Sequence, residues 1–263
     1  MPSDPPHGDA AIRVADLYRY PVKGLSPERL DVAELETSGY FPGDRLYAIE
    51  NSPSGFNEVA PRHLPKVAYV MLMREEELAR LVTRFEPETH HLSVEHEGRT
   101  VVNADLTARE GRAAVCAFLK GFLPHRLRGE PRVLAAPEGY RFTDSRNGYV
   151  SLINLASVRA IEAFVGSPVD PLRFRGNVLV EGLAPWTEFD LVGRVVEAPS
   201  GLRLKVSART DRCAATNVDP RTGRRDLAIP RALRTHLGHA DCGVYAEVIA
   251  GGTLRTGDAL VPV

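Results

Sequence analysis

The sequence predicts a mainly β, α+β fold with barrel-like sheets, and three observations point there. Short stretches that alternate apolar and polar residues recur along the chain, as in Ile12-Arg-Val-Ala-Asp-Leu-Tyr18 and Leu202-Arg-Leu-Lys-Val-Ser-Ala208. A period of two is that of a strand with one face buried. Glycine (22) and proline (20), in a chain of 263 residues, separate these stretches where tight turns belong. Few segments carry a helical period.

In chain order, the first strand ends at Tyr20-Pro-Val-Lys-Gly24, where Pro21 and Gly24 mark a loop. Leu30–Leu35 and Arg45–Ile49 read as further strands joined through Phe41-Pro-Gly-Asp44. Val67–Met73 is a continuous apolar run, too short for a helix, and is expected as a buried strand. Glu75–Phe85 is expected as a helix, with Leu78, Leu81, Val82 and Phe85 on one stripe and three glutamates at the positive end of its dipole. Thr107-Ala-Arg-Glu110 has capping-box spacing ahead of a second helix with Val115, Phe118 and Phe122. Cys116 inside it reads as a small buried hydrophobe. Pro124–Arg132 is a polar break. It divides the chain into domains at 11–125 and 126–263, after a frayed tail at 1–10. A third helix, Leu155–Val165, has Asn154 as its cap and Gly166 as its stop. Pro230 opens a short fourth helix and Gly238 ends it. The segment from Val244 to Val263 reads as three strands with turns at Gly251-Gly252 and Gly257-Asp258.

Composition narrows the function. With 33 basic and 34 acidic residues and a net charge of −1, nothing argues for nucleic acid or a membrane surface as partner. No apolar run approaches the roughly 18 residues of a spanning helix, and the first residues lack the pattern of a secretory signal. Cys116, Cys213 and Cys242 are too few and too scattered for a disulfide framework. Without Cys-x-x-Cys, a zinc ribbon or iron–sulfur cluster is not expected. A cytoplasmic protein is the expectation. Hydrolase and dinucleotide motifs of the Gly-x-Ser-x-Gly and Gly-x-Gly-x-x-Gly kind are absent.

The segment least like ordinary core is Arg209-Thr-Asp-Arg-Cys213-Ala-Ala-Thr-Asn-Val-Asp-Pro-Arg-Thr-Gly223. Its cysteine follows a strand and sits among arginines, whose charge favours the thiolate that attacks electrophiles or binds soft metals. A buried strand-end cysteine with solvated arginines is the competing reading. Arg173-Phe-Arg-Gly-Asn177 is a second candidate. On an extended segment its two arginines point the same way, and Gly176 lets a ligand approach the backbone; a solvated surface strand is the alternative. Lys23 and Arg45 add positive charge. His236, His239 and Cys242 have a spacing that suggests a metal site, but Gly238 interrupts it and no fourth ligand follows, so surface histidines and a packed cysteine are expected. The adjacent pair His90 and His91 would face opposite sides of a strand.

Tyr20-Pro-Val-Lys-Gly, Gly43-Asp-Arg-Leu-Tyr-Ala-Ile, Arg173-Phe-Arg-Gly-Asn, Arg212-Cys-Ala-Ala-Thr-Asn-Val-Asp-Pro-x-Thr-Gly and Gly243-Val-Tyr-Ala-Glu-Val, in this order, resemble MOSC-domain proteins preceded by the MOSC N-terminal β-barrel domain. That family is named for the C-terminus of molybdenum-cofactor sulfurase and includes the mitochondrial amidoxime reducing component and bacterial relatives. The resemblance implies an N-terminal β-barrel-like domain, a MOSC β-barrel domain, and a molybdenum cofactor of the molybdopterin form between them. It implies that the Cys213 thiolate ligates molybdenum and is the catalytic residue. Lys23, Arg45, Arg175, Asn177 and Arg212 would contact the cofactor, with Ser145 of Thr143-Asp-Ser145 as a further contact. The implied activity is that of an oxidoreductase that removes oxygen from small N-hydroxylated substrates, served by a separate electron-donor protein. The alternative is a sulfur carrier that holds persulfide sulfur on Cys213, fed by a cysteine desulfurase; a storage protein is a third option. No pyridoxal-phosphate domain fits within the chain. Gly24 stands where some relatives carry serine, which leaves the backbone or Ser26 for that bond. Cys242 stands where relatives carry a bulky apolar residue, which favours packing over chemistry.

Overall fold

The computed structural model describes residues 11–145 and 150–263; the tail read from the sequence at 1–10 lies outside them. The first half of the chain contributes β1 (Ile12–Arg19), β2 (Glu28–Leu30), β3 (Val32–Leu35), β4 (Tyr47–Glu50), β5 (Leu81–Glu86), β6 (His91–His96), β7 (Arg99–Asp105), α1 (Arg109–Phe122) and β8 (Arg132–Ala135). The second contributes β9 (Val150–Asn154), α2 (Leu155–Val165), β10 (Val178–Glu181), β11 (Val195–Glu197), β12 (Arg203–Asp211), α3 (Ile229–Leu237), β13 (Asp241–Ala250), β14 (Gly252–Arg255) and β15 (Ala259–Pro262).

Seven of these strands close a ring in the order β10, β9, β13, β12, β11, β15, β1 and back to β10. Closure leaves no unpaired edge. All pairings in the ring are antiparallel except that of β9 with β10, and the crossover between those two parallel strands carries α2. Inward residues alternate along each strand, and Val14, Leu17, Leu152, Val178, Leu204, Val206, Val244 and Leu260 form one apolar filling. Strand β1 belongs to this barrel although it starts the chain: Leu17 pairs with Val178, and Ile12 pairs with Leu260. Strands β5, β6 and β7 form a separate antiparallel sheet. They pack with α1, β4 and β8 around Leu78, Leu81, Phe85, Leu92, Val102, Val115 and Leu119. No helix among the described residues is long and apolar enough to cross a membrane.

Some local expectations hold and others give way. Asn154 caps α2 by accepting the Ala156 N–H at 3.0 Å, and Gly166 ends it in the left-handed region at φ 69°. Proline sits in the first turn of α3, and Gly238 closes that helix at φ 78°. The helix expected over Glu75–Phe85 is instead a short 3-10 turn, Glu76–Arg80, followed by β5. The same apolar residues satisfy a period of two: Leu81, Thr83 and Phe85 are buried, whereas Val82 is 53% exposed. Pairing with β6 at every position then outweighs the stripe. The apolar run Val67–Met73 is not a strand either. It makes a 3-10 turn at Lys66–Ala68 and one bridge from Tyr69 to Glu50. The buried Glu75 carboxylate then takes the Met71 N–H at 2.9 Å and folds the run back on itself. Leu30–Leu35 breaks at Asp31, and its two pieces join different sheets. The capping box does not form, because the Thr107 hydroxyl and N–H both bond to Asp105. Cys116 is only half-buried.

The strand over 81–86 makes a sharp mutational distinction. Leu81→Ala should cost about 2–5 kcal/mol as a cavity in a filled core, and Val82→Ala under about 0.5 kcal/mol as a surface change. Urea denaturation of both variants checks this, and equal losses would restore the helix.

Candidate functional site

The loop after β1 carries Lys23 to the interior. Val22 bridges Tyr47, and the Lys23 N–H bonds to the Tyr47 carbonyl at 2.8 Å. Gly24 follows at φ 87°, where an added Cβ would lie 2.9 Å from the Val70 carbonyl oxygen, so the turn requires glycine. Lys23 thereby faces a cavity of about 400 Å³ whose wall also includes Arg45, Ser145, Arg175, Asn177, Arg212 and Cys213. Residues from Lys23 to Tyr245 thus share one enclosure, and its wall also carries Lys66, Arg173 and Arg209.

Each cation has its own support. The Lys23 ammonium, 9% exposed, donates to the Phe142 carbonyl at 2.8 Å and pairs with the Asp144 carboxylate. Burial pushes the lysine pKa down and Asp144 pulls it back up. For Asp144 burial acts upward, but the ammonium beside it prevails and holds the carboxyl at about 2. Arg45 pairs with the buried Asp44, which also accepts the Tyr20 N–H at 2.7 Å. The guanidiniums of Arg45 and Arg175 lie over the Tyr20 ring, 4.8 and 4.2 Å from its centroid. Arg175 donates to the Leu25 carbonyl at 2.9 Å, and burial lowers its pKa to about 10. Arg212 donates to the carbonyls of Cys242 and Phe174 at 2.7 and 2.9 Å.

Some expectations at this site need correction. Arg173 and Arg175 are not on an extended segment. Arg173 lies in a 3-10 turn, Pro171–Phe174, and Arg175 is left-handed at φ 53°, although both side chains line the cavity. Gly176 serves packing, since a Cβ there would sit 2.3 Å from Ile153 Cγ1. The Asn177 amide is engaged at both ends by backbone: it accepts the Ser151 N–H and donates to the Tyr18 carbonyl, each at 3.1 Å. It therefore ties β9 to β1 in the cavity wall. Ser145 reaches the wall, where its carbonyl accepts the Thr143 hydroxyl at 2.9 Å. The histidines near Cys242 make ring contacts. His236 stacks on Phe164 at 4.4 Å, and His239 lies edge-on to Phe189. The Cys242 thiol is fully buried, and burial raises its pKa to about 12.

Several polar atoms in the cavity wall are buried without a protein partner: Arg175 Nη2, Arg212 Nη2, Ser151 Oγ and Thr210 Oγ1. Buried donors are nearly always satisfied, so this set fits an anionic ligand rich in acceptors. Among the described residues no cluster of three or more His, Cys, Asp or Glu could hold a metal. A metal at Cys213 would therefore draw its other donors from a bound group.

Comparison with known proteins gives the family. The MOSC N-terminal beta barrel domain matches residues 11–126, and the MOSC domain matches residues 139–261. The chain belongs to the MOSC family. Molybdenum cofactor sulfurases from Caenorhabditis elegans and Caenorhabditis briggsae are 34% and 36% identical to it over 100 and 87 residues. Those matches cover 35% and 32% of this chain but only 14% and 12% of the sulfurases. Among solved structures, the YUAD protein from Bacillus subtilis aligns over 95% of this chain and 94% of its own, at 14% identity and a TM-score of 0.46. YiiM from Geobacillus stearothermophilus aligns over 45% of this chain and 56% of its own, at 19% identity and a TM-score of 0.37.

In this MOSC chain the loop after Cys213 is clamped from two sides. Arg173, buried among its partners, pairs with Asp219 at 3.3 Å and Asp226 at 2.9 Å and donates to the Asn217 carbonyl at 3.2 Å. Arg225 donates to the Ala214 carbonyl at 3.2 Å on one side and to the Leu72 and Met73 carbonyls at 3.1 and 2.8 Å on the other. It thus joins the cysteine loop to the wall segment of the N-terminal half. The roles of Tyr20, Asp144, Arg173 and Arg225 escape sequence reasoning. The signals are positional: Tyr20 stands in the Tyr-Pro-Val-Lys-Gly motif, Asp144 in Thr143-Asp-Ser145 and Arg173 in Arg173-Phe-Arg-Gly-Asn177.

The Tyr20 ring provides a test of how the cations are held. Its hydroxyl is buried without a partner, so Tyr20→Phe should leave the melting temperature unchanged or raised. Tyr20→Leu removes the π face and should cost about 2–4 kcal/mol. Thermal melts of the two variants decide, and equal losses would mean that the hydroxyl rather than the ring face carries the stabilisation.

Proposed function

We propose that this protein binds a molybdenum–pterin cofactor in the cavity between its halves and reduces small N-hydroxylated compounds, with the Cys213 thiolate as the protein's ligand to the metal. The observation that carries the reading is the meeting of one partly buried thiol with unpartnered arginine donors in a single cavity. The MOSC domain itself is linked to molybdenum-cofactor binding or sulfuration. In this reading Lys23, Arg45, Arg175 and Arg212 hold the anionic and acceptor-rich parts of the cofactor. Ser151 and Thr210 donate hydroxyl hydrogen bonds, Ser145 contributes at the rim, and Asn177 fixes the wall behind them. Arginine forks match phosphate and pterin edges in two-pronged fashion. Cys213 loses its proton on ligation, because only a thiolate serves as ligand. The bound group supplies the two-electron chemistry at the N–O bond. The chain positions the substrate, with Met71, Leu72 and Met73 as the apolar side of the cavity that keeps water away. Electrons come from a separate donor protein.

A second reading, a carrier of persulfide sulfur on Cys213 loaded by a cysteine desulfurase, is favoured by the similarity to proteins named molybdenum cofactor sulfurase. Metal analysis of protein purified from a host that makes the cofactor separates the two. Molybdenum near one per chain, lost in Cys213→Ala while the fold persists, is the expected result. Metal-free protein with cyanide-labile sulfur on Cys213 would establish the carrier instead.

Loading should also raise the melting temperature, because a ligand that binds only the native state stabilises it by mass action. Arg175→Ala should shrink the gap between loaded and empty protein by about 4 °C, from the loss of a charged hydrogen bond. Arg175→Lys should restore part of it, since an ammonium lacks the planar fork. Exposed Arg224 is the control. Scanning calorimetry on the loaded and empty forms reads this, and identical gaps in Arg175→Ala and Arg224→Ala would remove Arg175 from the site.

A further inference from the structure

The cations of the cavity differ in how firmly their own counter-charges are fixed. Arg45 is paired with Asp44, whose side chain is only 4% exposed. Arg173 is held by Asp219 and Asp226 outside the ligand space. Arg175 and Arg212 face no carboxylate and keep one unpartnered nitrogen each. Lys23 is different again. Its ammonium is buried, but its partner Asp144 is 53% exposed and sits in the cavity wall.

Two consequences follow from that asymmetry. A carboxylate in contact with the Lys23 ammonium occupies the position from which a ligand's anionic group would reach it, and it repels such a group at short range. Because half of its side chain is open to the cavity, Asp144 has space to rotate away from Lys23, whereas Asp44 cannot leave without stranding a buried charge. We propose that Asp144 is an internal substitute anion, a side chain that competes with the bound ligand for Lys23 and so lowers the affinity of the cavity for anions. This inference rests on the cavity's being an anion site, as in the reading above, and adds that one of its own residues opposes filling.

The ligand that best overcomes this competition carries more than one charge. A ligand must do better at Lys23 than a carboxylate of one charge. Phosphate monoesters, which carry about two charges near neutrality, displace it more readily than ligands with one. The apparent affinity is lowered by the fraction of molecules in which the pair stands closed. A mostly closed pair weakens binding on the order of tenfold, the scale of a partly exposed ion pair.

The experiment uses the full chain purified from a host that cannot make the cofactor, with inorganic phosphate as the probe. Binding is followed by calorimetric titration at constant ionic strength for the wild type, Asp144→Asn and the double variant Asp144→Asn, Lys23→Met. Competition requires Asp144→Asn to bind phosphate about tenfold more tightly, and the double variant to lose that gain. A second titration with chloride, a monoanion, should show the same fold gain in Asp144→Asn, because the closed fraction weakens every ligand of Lys23 equally. If Asp144 instead steadies Lys23 towards the ligand, Asp144→Asn binds phosphate more weakly, and the proposal is overturned. Unchanged binding, or tightening that survives removal of Lys23, overturns it equally. Both variants must give the wild-type circular dichroism spectrum; since Asp144 is half-exposed, Asp144→Ser serves in place of an Asn variant that does not. Absence of molybdenum from wild-type protein purified from a host that makes the cofactor would count against the cofactor reading alone, because the phosphate titration does not depend on the metal.

Discussion

Burying several cationic side chains around one cavity is the constraint to which the rest of the structure answers. A buried charge without compensation is costly, yet Lys23, Arg173 and Arg212 are each less than a tenth exposed. The protein meets this differently at each position. Arg212 uses two backbone carbonyls, Arg173 two carboxylates, Arg45 one carboxylate, and Arg175 a carbonyl and an aromatic face. Arg175 has the weakest compensation, and its lowered pKa records this. Its incomplete set of partners is also what leaves it open to a ligand.

These supports come from parts of the chain that only the barrel brings together. Strand β1 runs directly into the Tyr20–Gly24 loop, β12 leads into Cys213, and the turn after α2 supplies Arg173 and Arg175. The barrel fixes the ends of these elements, while Asn177 and Arg225 tie the loops to one another. A rigid ring with loops fastened at its rim can hold charged groups at fixed distances, which isolated loops cannot do.

Much of this was legible in the sequence where one local rule acts alone. Strands with a clean period of two and helices with a start and a stop signal, such as α2 with Asn154 and Gly166 and α3 with Pro230 and Gly238, fall where their residues place them. Glu75–Phe85 was misread because Leu81 and Phe85 fit both a helical stripe and a strand face, and only pairing with β6 decides between them. Val67–Met73 was misread because its fate is set by the Glu75 carboxylate, a contact that no periodicity reports. At the site, residue identity was more legible than role. Arg173 and Arg175 stand two apart and both line the cavity, yet Arg173 is held by Asp219 and Asp226 while Arg175 makes no ion pair among the described residues, a difference set by residues more than forty positions further along the chain. Asp144 lies in the Thr143-Asp-Ser145 segment that the resemblance flags, but its role does not show there, since it depends on a lysine more than a hundred residues away.

The closure of the barrel by β1 also bears on how the molecule is made. The stave synthesised first must lie between β10 and β15, and Ile12 has its partner at Leu260. The ring cannot be completed on the ribosome while those later strands are still unmade. Until then the apolar inner face of β1 has no lasting place to rest, and its pairing is as non-local as this chain allows. Such pairings are slow, because a long loop must close before any contact rewards it. The interval between emergence and closure is when this protein is most exposed to aggregation and most in need of a chaperone.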